Sequence, residues 1–117
     1  MDVRVKRAYE AASRSDGYRV LVDSLWPRGL SRDHVRVDEW ARELAPSDAL
    51  RHWYQHDLNR FDEFRRRYVR ELGTRRKLLT ELRRRARTGP VTLVFAAKDV
   101  EHSNAAVLAS VLRAGLK

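Results

Sequence analysis

Residues Tyr18 to Leu30, YRVLVDSLWPRGL, decide how this chain folds. Val20, Leu21 and Val22 form a continuous apolar run, the pattern of a strand buried on both faces, as in a parallel sheet. Asp23 ends the run, and a turn follows in which Pro27 restricts the backbone and Gly29 releases it. A buried strand thus delivers polar groups to a surface rim. Val91 to Ala97, VTLVFAA, is a second and stronger run of the same kind, predicted to be central, and it breaks at Lys98-Asp99. Val3 and Val5 alternate with Arg4 and Lys6, which predicts a half-buried strand near an edge. The residues from 8 to 17 carry turn chemistry and read as a loop feeding the strand at 18 to 23.

Helices fill the intervals. His34 to Trp40 reads as a short extended piece followed by a helical turn, stopped at Ala45-Pro46 because a residue before proline is pushed out of the α region. Ser47 is positioned to cap a helix carrying Leu50, Trp53 and Tyr54. Asp57 or Asn59 can cap the next, whose stripe is Phe61, Phe64, Tyr68 and Leu72. Gly73 is expected to end it in a left-handed cap, with Thr74 starting a helix that turns Leu78, Leu79, Leu82 and Ala86 inward. A last helix is expected from about Val100 to Ala114, capped by Asp99, with Ala105, Leu108, Val111 and Leu112 inside. Strands alternating with helices predict an α/β fold: one three-layer domain over residues 1–117, with a largely parallel sheet flanked by helices.

The composition narrows the function classes. The 117 residues suit one domain, 43% hydrophobic residues suffice for a core, and 35% charged residues describe a heavily solvated exterior. With no cysteine, a disulfide framework, a thiolate metal site and a thiol nucleophile are excluded. Even the longest apolar runs, such as Leu93 to Ala97, fall far short of the roughly 20 residues of a membrane span, so a cytoplasmic protein without membrane contact is expected. The net charge is +9, and Arg60 to Arg87 supplies +8 of it through twelve Lys/Arg against four Asp/Glu.

Two surfaces could carry a function. Asp23, Trp26 and Arg28 from one strand end, with Lys98, Asp99, His102 and Asn104 from the other, fall where ligands sit in open parallel sheets, beyond the carboxyl ends of the strands. Such a cluster suits a small anionic ligand such as a phosphate or carboxylate. The catalytic candidates are Asp23, Lys98 and His102, with His102 or Asp23 as general base, and Trp26, Arg28, Asp99 and Asn104 would bind ligand. The structural alternative pairs Asp23 with Arg28, makes Asp99 a helix cap and puts Trp26 in the core. The second surface is cationic. Arg66 and Arg70 lie opposite the apolar stripe of their helix, and Lys77 and Arg84 oppose the leucines of the next, a face that nucleic acid would recognise. Part of that charge is expected to be neutralised by the pairs Asp62–Arg66, Glu63–Arg67 and Glu81–Arg85. No helix-turn-helix, zinc or RNA-recognition signature accompanies it. His52 and His56 stand four apart and could share one helix face, but they lack a matched further ligand, so no metal site is assigned and both read as surface residues. No G-x-S-x-G, P-loop or dinucleotide fingerprint is present, and nothing names a cofactor.

Four blocks in order, DGYRVLVDSLWPRGL (16 to 30), WARELAPS (40 to 47), the D-x-x-x-F-x-x-x-Y-x-x-E-L type of run ending at Leu72, and AAKD followed by NAAVL (96 to 108), resemble the YeaO-like proteins. These are short members of the family called domain of unknown function 488. The resemblance spans nearly the whole chain and implies a single cytosolic α/β domain without an established activity. Two departures stand out: Ser24 follows the strand aspartate where relatives have arginine, and His102-Ser103-Asn104-Ala105 stands where they have an Asn-His-Ala-like triplet. Longer relatives carry polar groups at the equivalent strand ends, which implies a site there without naming its chemistry.

Overall fold

The computed structural model describes residues 1–115. Among these, four strands, β1 (Val3–Arg7), β2 (Tyr18–Leu21), β3 (Glu39–Trp40) and β4 (Val91–Phe95), make one parallel sheet in the order β1-β4-β2-β3. The two apolar runs are the central pair, with Val20 opposite Leu93 and Leu21 opposite Val94. β1 is an edge strand, as its alternation predicts. Gly17, at φ +65°, leads into β2 so close to Pro90 that a Cβ would lie 2.3 Å from the Pro90 carbonyl oxygen, so no larger residue fits.

The sheet has an α/β arrangement with unequal outer layers. Val20, Val22, Leu93 and Phe95 pack under α2 (Asp48–Tyr54), α3 (Phe61–Leu72), α4 (Arg76–Ala86) and α5 (Asn104–Ala114) in the main core. The opposite face buries Leu21, Val94 and Ala8 against Val35, at the end of the single turn α1 (Arg32–Val35), and against Trp26, Leu30, Val37 and Trp40. The stripe of α3 is the one the spacing predicts, with Phe64, Tyr68 and Leu72 buried and Phe61 packed beside them. Leu79, Leu82 and Ala86 of α4 and Ala105, Leu108 and Leu112 of α5 are likewise buried.

Caps and boundaries differ in four places. Ser47 caps α2 by accepting the Leu50 N–H, and Asp57 caps a 3-10 turn (Leu58–Arg60) that runs directly into α3. Gly73, however, is right-handed at φ −59°, and Thr74 does not cap α4. The chain passes from α3 through a 3-10 turn (Gly73–Arg75) into α4 without a left-handed break, because the Gly73 N–H finds carbonyls of the last turn of α3. The 31–44 segment gains an element that the spacing does not predict. A helical turn capped by Ser31 comes first and buries Val35, so the extended piece is shifted to the two-residue strand β3, and the 3-10 turn Arg42–Leu44 follows it in the expected order. Finally, Ser103 rather than Asp99 caps α5, accepting the Ala106 N–H, so the helix begins at Asn104 instead of Val100.

Candidate functional site

The connections leaving β2 and β4 diverge. After β2 the chain passes beneath the smaller core, carrying Trp26 and Leu30 into it; after β4 it rises over the main core to enter α5. Diverging connections at adjacent strand ends open a crevice. Here it is a cleft of about 930 Å³, walled by residues 23–28, by Ala96 to Asp99 and Asn104, by Tyr9 beyond β1, and by Pro46, Arg51 and His56 around α2.

Asp23 lies at the meeting point of the two strand ends. Its carboxylate accepts the Ala96 N–H at 2.8 Å and the Asn104 side-chain amide at 3.0 Å, while Asn104 also donates to the Val22 carbonyl at 3.0 Å. Its backbone carbonyl accepts the Trp40 indole N–H at 2.7 Å. Burial pushes the Asp23 carboxyl above its ordinary range; the Ala96 and Asn104 hydrogen bonds and the charges of His56 and Arg51 oppose that without cancelling it. Below this floor Tyr68 is fully buried and donates its hydroxyl to the Leu44 carbonyl, and burial pushes that phenol up as well, so it stays a donor.

Six of the seven residues predicted for this site line the cleft: Asp23, Trp26, Arg28, Lys98, Asp99 and Asn104. His102 is not in its wall. Its Nδ1 is 2.8 Å from Asp99 Oδ2, its ring meets Phe61 edge-on with centroids 4.8 Å apart, and its backbone carbonyl accepts the Tyr54 hydroxyl. Burial opposes ionisation of Asp99, but the His102 side chain and N–H outweigh it and hold the carboxyl low. The structural alternative is met only in part. Trp26 is half-buried, edge-on to Trp40 at 5.4 Å, with its indole N–H on the Leu30 carbonyl, and Asp99 caps the turn before α5 through the His102 N–H. Among the described residues Asp23 makes no ion pair with Arg28. Neither the Arg28 guanidinium nor the Lys98 ammonium meets a carboxylate there, and both side chains are exposed.

Tyr9, Arg51 and His56 were not singled out for this cleft by the sequence. His56 does not share a helix face with His52: Gln55 and His56 are both left-handed, at φ 45° and 57°, so the chain reverses after α2 and swings His56 to the cleft. Arg51 projects from the last turn of α2; its Nε is buried without a hydrogen-bond partner, and its other contact is a long 3.5 Å approach to Asp48. Among the described residues no group of three or more His, Asp or Glu could hold a metal ion.

The cationic face is partly neutralised, through two of the three predicted pairs, Glu63–Arg67 and Glu81–Arg85, and through two others. Glu63 pairs with both Arg66 and Arg67, leaving Asp62 out, and Glu81 binds Arg84 more closely than Arg85. Arg70 and Lys77 meet no carboxylate among the described residues. No described helix is long and apolar enough to cross a membrane.

Comparisons with known proteins agree with one another. Over 110 residues the chain is 48% identical to uncharacterised proteins of Mycobacterium tuberculosis and Mycobacterium bovis, covering 94% of this chain and 92% of each relative. Over 113 residues it is 39% identical to the uncharacterised protein YeaO of Escherichia coli, covering 97% of this chain and 98% of that one. No solved structure matches. A family model described as the inactive DUF488-N3 subclade matches residues 2–117, and the chain belongs to that family.

Proposed function

We propose that this protein binds a small anionic ligand in the cleft beyond β2 and β4, with Lys98, Arg28 and Arg51 as the cations that recognise it and Asp23 and Asn104 as the polar floor. The observation that carries this reading is the imbalance of pairing in the cleft. Among the described residues Arg28 and Lys98 stand at its wall without carboxylate partners and Arg51 has a buried unpaired Nε, whereas Asp23 is held by neutral donors and Asp99 is engaged by His102. Unpaired cations around a concave, partly apolar surface are the usual means of orienting an anion. The family description, inactive, favours binding without turnover. A catalytic role for Asp23 or Lys98 would require proton transfer to a bound ligand, and His102 would have to act through Asp99.

The test is a thermal-shift and calorimetric titration with inorganic phosphate and simple phosphate monoesters at low and moderate salt. A rise in midpoint that survives moderate salt and disappears in Lys98→Ala is the expected result. The absence of any such rise, or an equal rise in Lys98→Ala, would remove the reading. Asp23→Ala is a poorer probe because it also releases the Ala96 N–H and Asn104.

A second reading rests on Arg70 and Lys77, which meet no carboxylate among the described residues and could hold a nucleic-acid backbone together with Arg66 and Arg84. It requires that binding to polyanions fade as salt rises, and that reversing Arg66, Arg70 and Arg84 flatten that salt dependence.

A further inference from the structure

Resting on that reading, we infer that the anion is a phosphate monoester carrying a ring-sized apolar body, as a nucleoside monophosphate does, and that Tyr9, Leu25 and Trp26 form the subsite for the ring. The first support is size. A cleft of about 930 Å³ matches the pockets of drug-sized ligands and far exceeds what a bare phosphate occupies.

The second support is what its wall exposes. Leu25 is 62% exposed and Tyr9 41% exposed, so two large apolar side chains face solvent in the same wall as Arg28. Neither belongs to a core cluster, so burial in the core does not account for either side chain being there.

The third support is that the subsite is held in place before anything binds. The Tyr9 hydroxyl donates to the Arg28 carbonyl at 2.9 Å, with Arg7 over its ring at 5.1 Å. Trp26 is fixed by Trp40 at its edge and by its indole hydrogen bond to Leu30. The turn joining Leu25 to Leu30 is closed by the Leu30 N–H on the Pro27 carbonyl, with Gly29 at φ +79°. Tyr9 and Trp26, accessible from the cleft yet held by these contacts, lose little entropy on contact with a ligand, which makes them effective binding surface. Ala96 and Ala97, small side chains at the end of β4, leave the space open between this wall and the Asp23 floor.

The test compares four probes by isothermal titration calorimetry on the wild-type protein: inorganic phosphate, ribose 5-phosphate, adenosine 5′-monophosphate and adenosine. The expected result is binding of adenosine monophosphate at least about tenfold tighter than ribose 5-phosphate, with adenosine weaker than either. Leu25→Ala, at an exposed position whose folding is checked by thermal melting, should bring adenosine monophosphate down to the affinity of ribose 5-phosphate and leave the latter unchanged. Equal affinity for the two phosphates would overturn the ring subsite while leaving anion binding intact. An unchanged preference in Leu25→Ala would overturn the assignment of residues. Adenosine binding as well as its monophosphate would overturn the anion reading, and no binding of any probe would overturn both.

Discussion

At the amino-terminal end of β2 the charges are buried and matched, whereas at its carboxyl end they are left open. Arg19 and Asp16 are 3% and 5% exposed. Asp16 accepts from Arg19 at 2.7 Å, from the Ser13 N–H at 2.9 Å and from Lys6 at 3.1 Å. Arg19 uses its remaining donors on the carbonyls of Val35 and Arg36, tying the 31–36 segment to the sheet. Four residues after Arg19, Asp23 meets neutral donors, and among the described residues Arg28 and Lys98 face the cleft without carboxylates. A desolvated ion pair persists in a core only when its hydrogen bonds are completed from within the chain. Polar groups that await completion from outside mark a place where a ligand can contribute. The first cluster belongs to the fold, and the second we assign to function.

The contrast can be tested most severely by removing one partner from the buried cluster. Arg19→Met leaves Asp16 and two carbonyls short of donors and should cost about 3–5 kcal/mol of stability in denaturant unfolding. Phosphate affinity measured on the folded fraction should be unchanged, and a loss of binding as well would mean the two ends are not independent. Lys98→Ala should do the reverse. Losing a charged hydrogen bond to the ligand costs about 1.5–3 kcal/mol of binding, at least tenfold in affinity, while a surface substitution alters stability by no more than about 0.5 kcal/mol.

The two aspartates should also differ in the sign of their pH dependence. Burial works against ionisation of Asp16, but the Ser13 N–H, Lys6 and Arg19 outweigh it and hold its carboxyl low. The stability it contributes is present above its unfolded value of 3.8 and is lost as pH falls from there through the lower folded value. Asp23 is raised, chiefly by burial, so its contribution is present below 3.8 and is lost as pH rises through the higher folded value. Urea unfolding across the acid range should therefore show Asp16→Asn flattening the slope below 3.8 and Asp23→Asn flattening it above. If both act on the same side of 3.8, the electrostatic distinction between the two ends fails. The smallest effect concerns the turn that brings His56 to the cleft. Gln55→Gly, relieving a left-handed residue at φ 45°, should stabilise by about 1 kcal/mol without changing phosphate affinity. Destabilisation would mean that the Gln55 side chain holds that turn.

Much of this architecture is legible in the chain because it rests on local physics. Val20 to Val22 and Val91 to Phe95 have no polar face, so they take the middle of a parallel sheet. The spacing of Phe61, Phe64, Tyr68 and Leu72 leaves α3 one way to pack. Caps were less secure, since Gly73 is equally suited to a left-handed stop and a right-handed continuation, and only its neighbours' carbonyls decide between them. Asp99 and Ser103 are both good caps four residues apart; the turn between them, closed by the His102 N–H on Asp99, leaves α5 to Ser103. The same turn carries His102 to Phe61 and away from the cleft.

From the sequence alone come the two central strands, the position of Asp23 and Lys98 just beyond them, and a cationic face on α3 and α4, because apolar runs and helical periodicity are properties of neighbouring residues. The tertiary structure decided which way the connections after β2 and β4 turn, and that Tyr9, Arg51 and His56 meet Asp23 across the resulting cleft. Those residues come from separate segments, and what joins them is the pairing of β1 and β2 on either side of β4 and the reversal at Gln55 and His56. Contacts made by chain closure depend on the packing of the whole molecule, and no local pattern of residues encodes them.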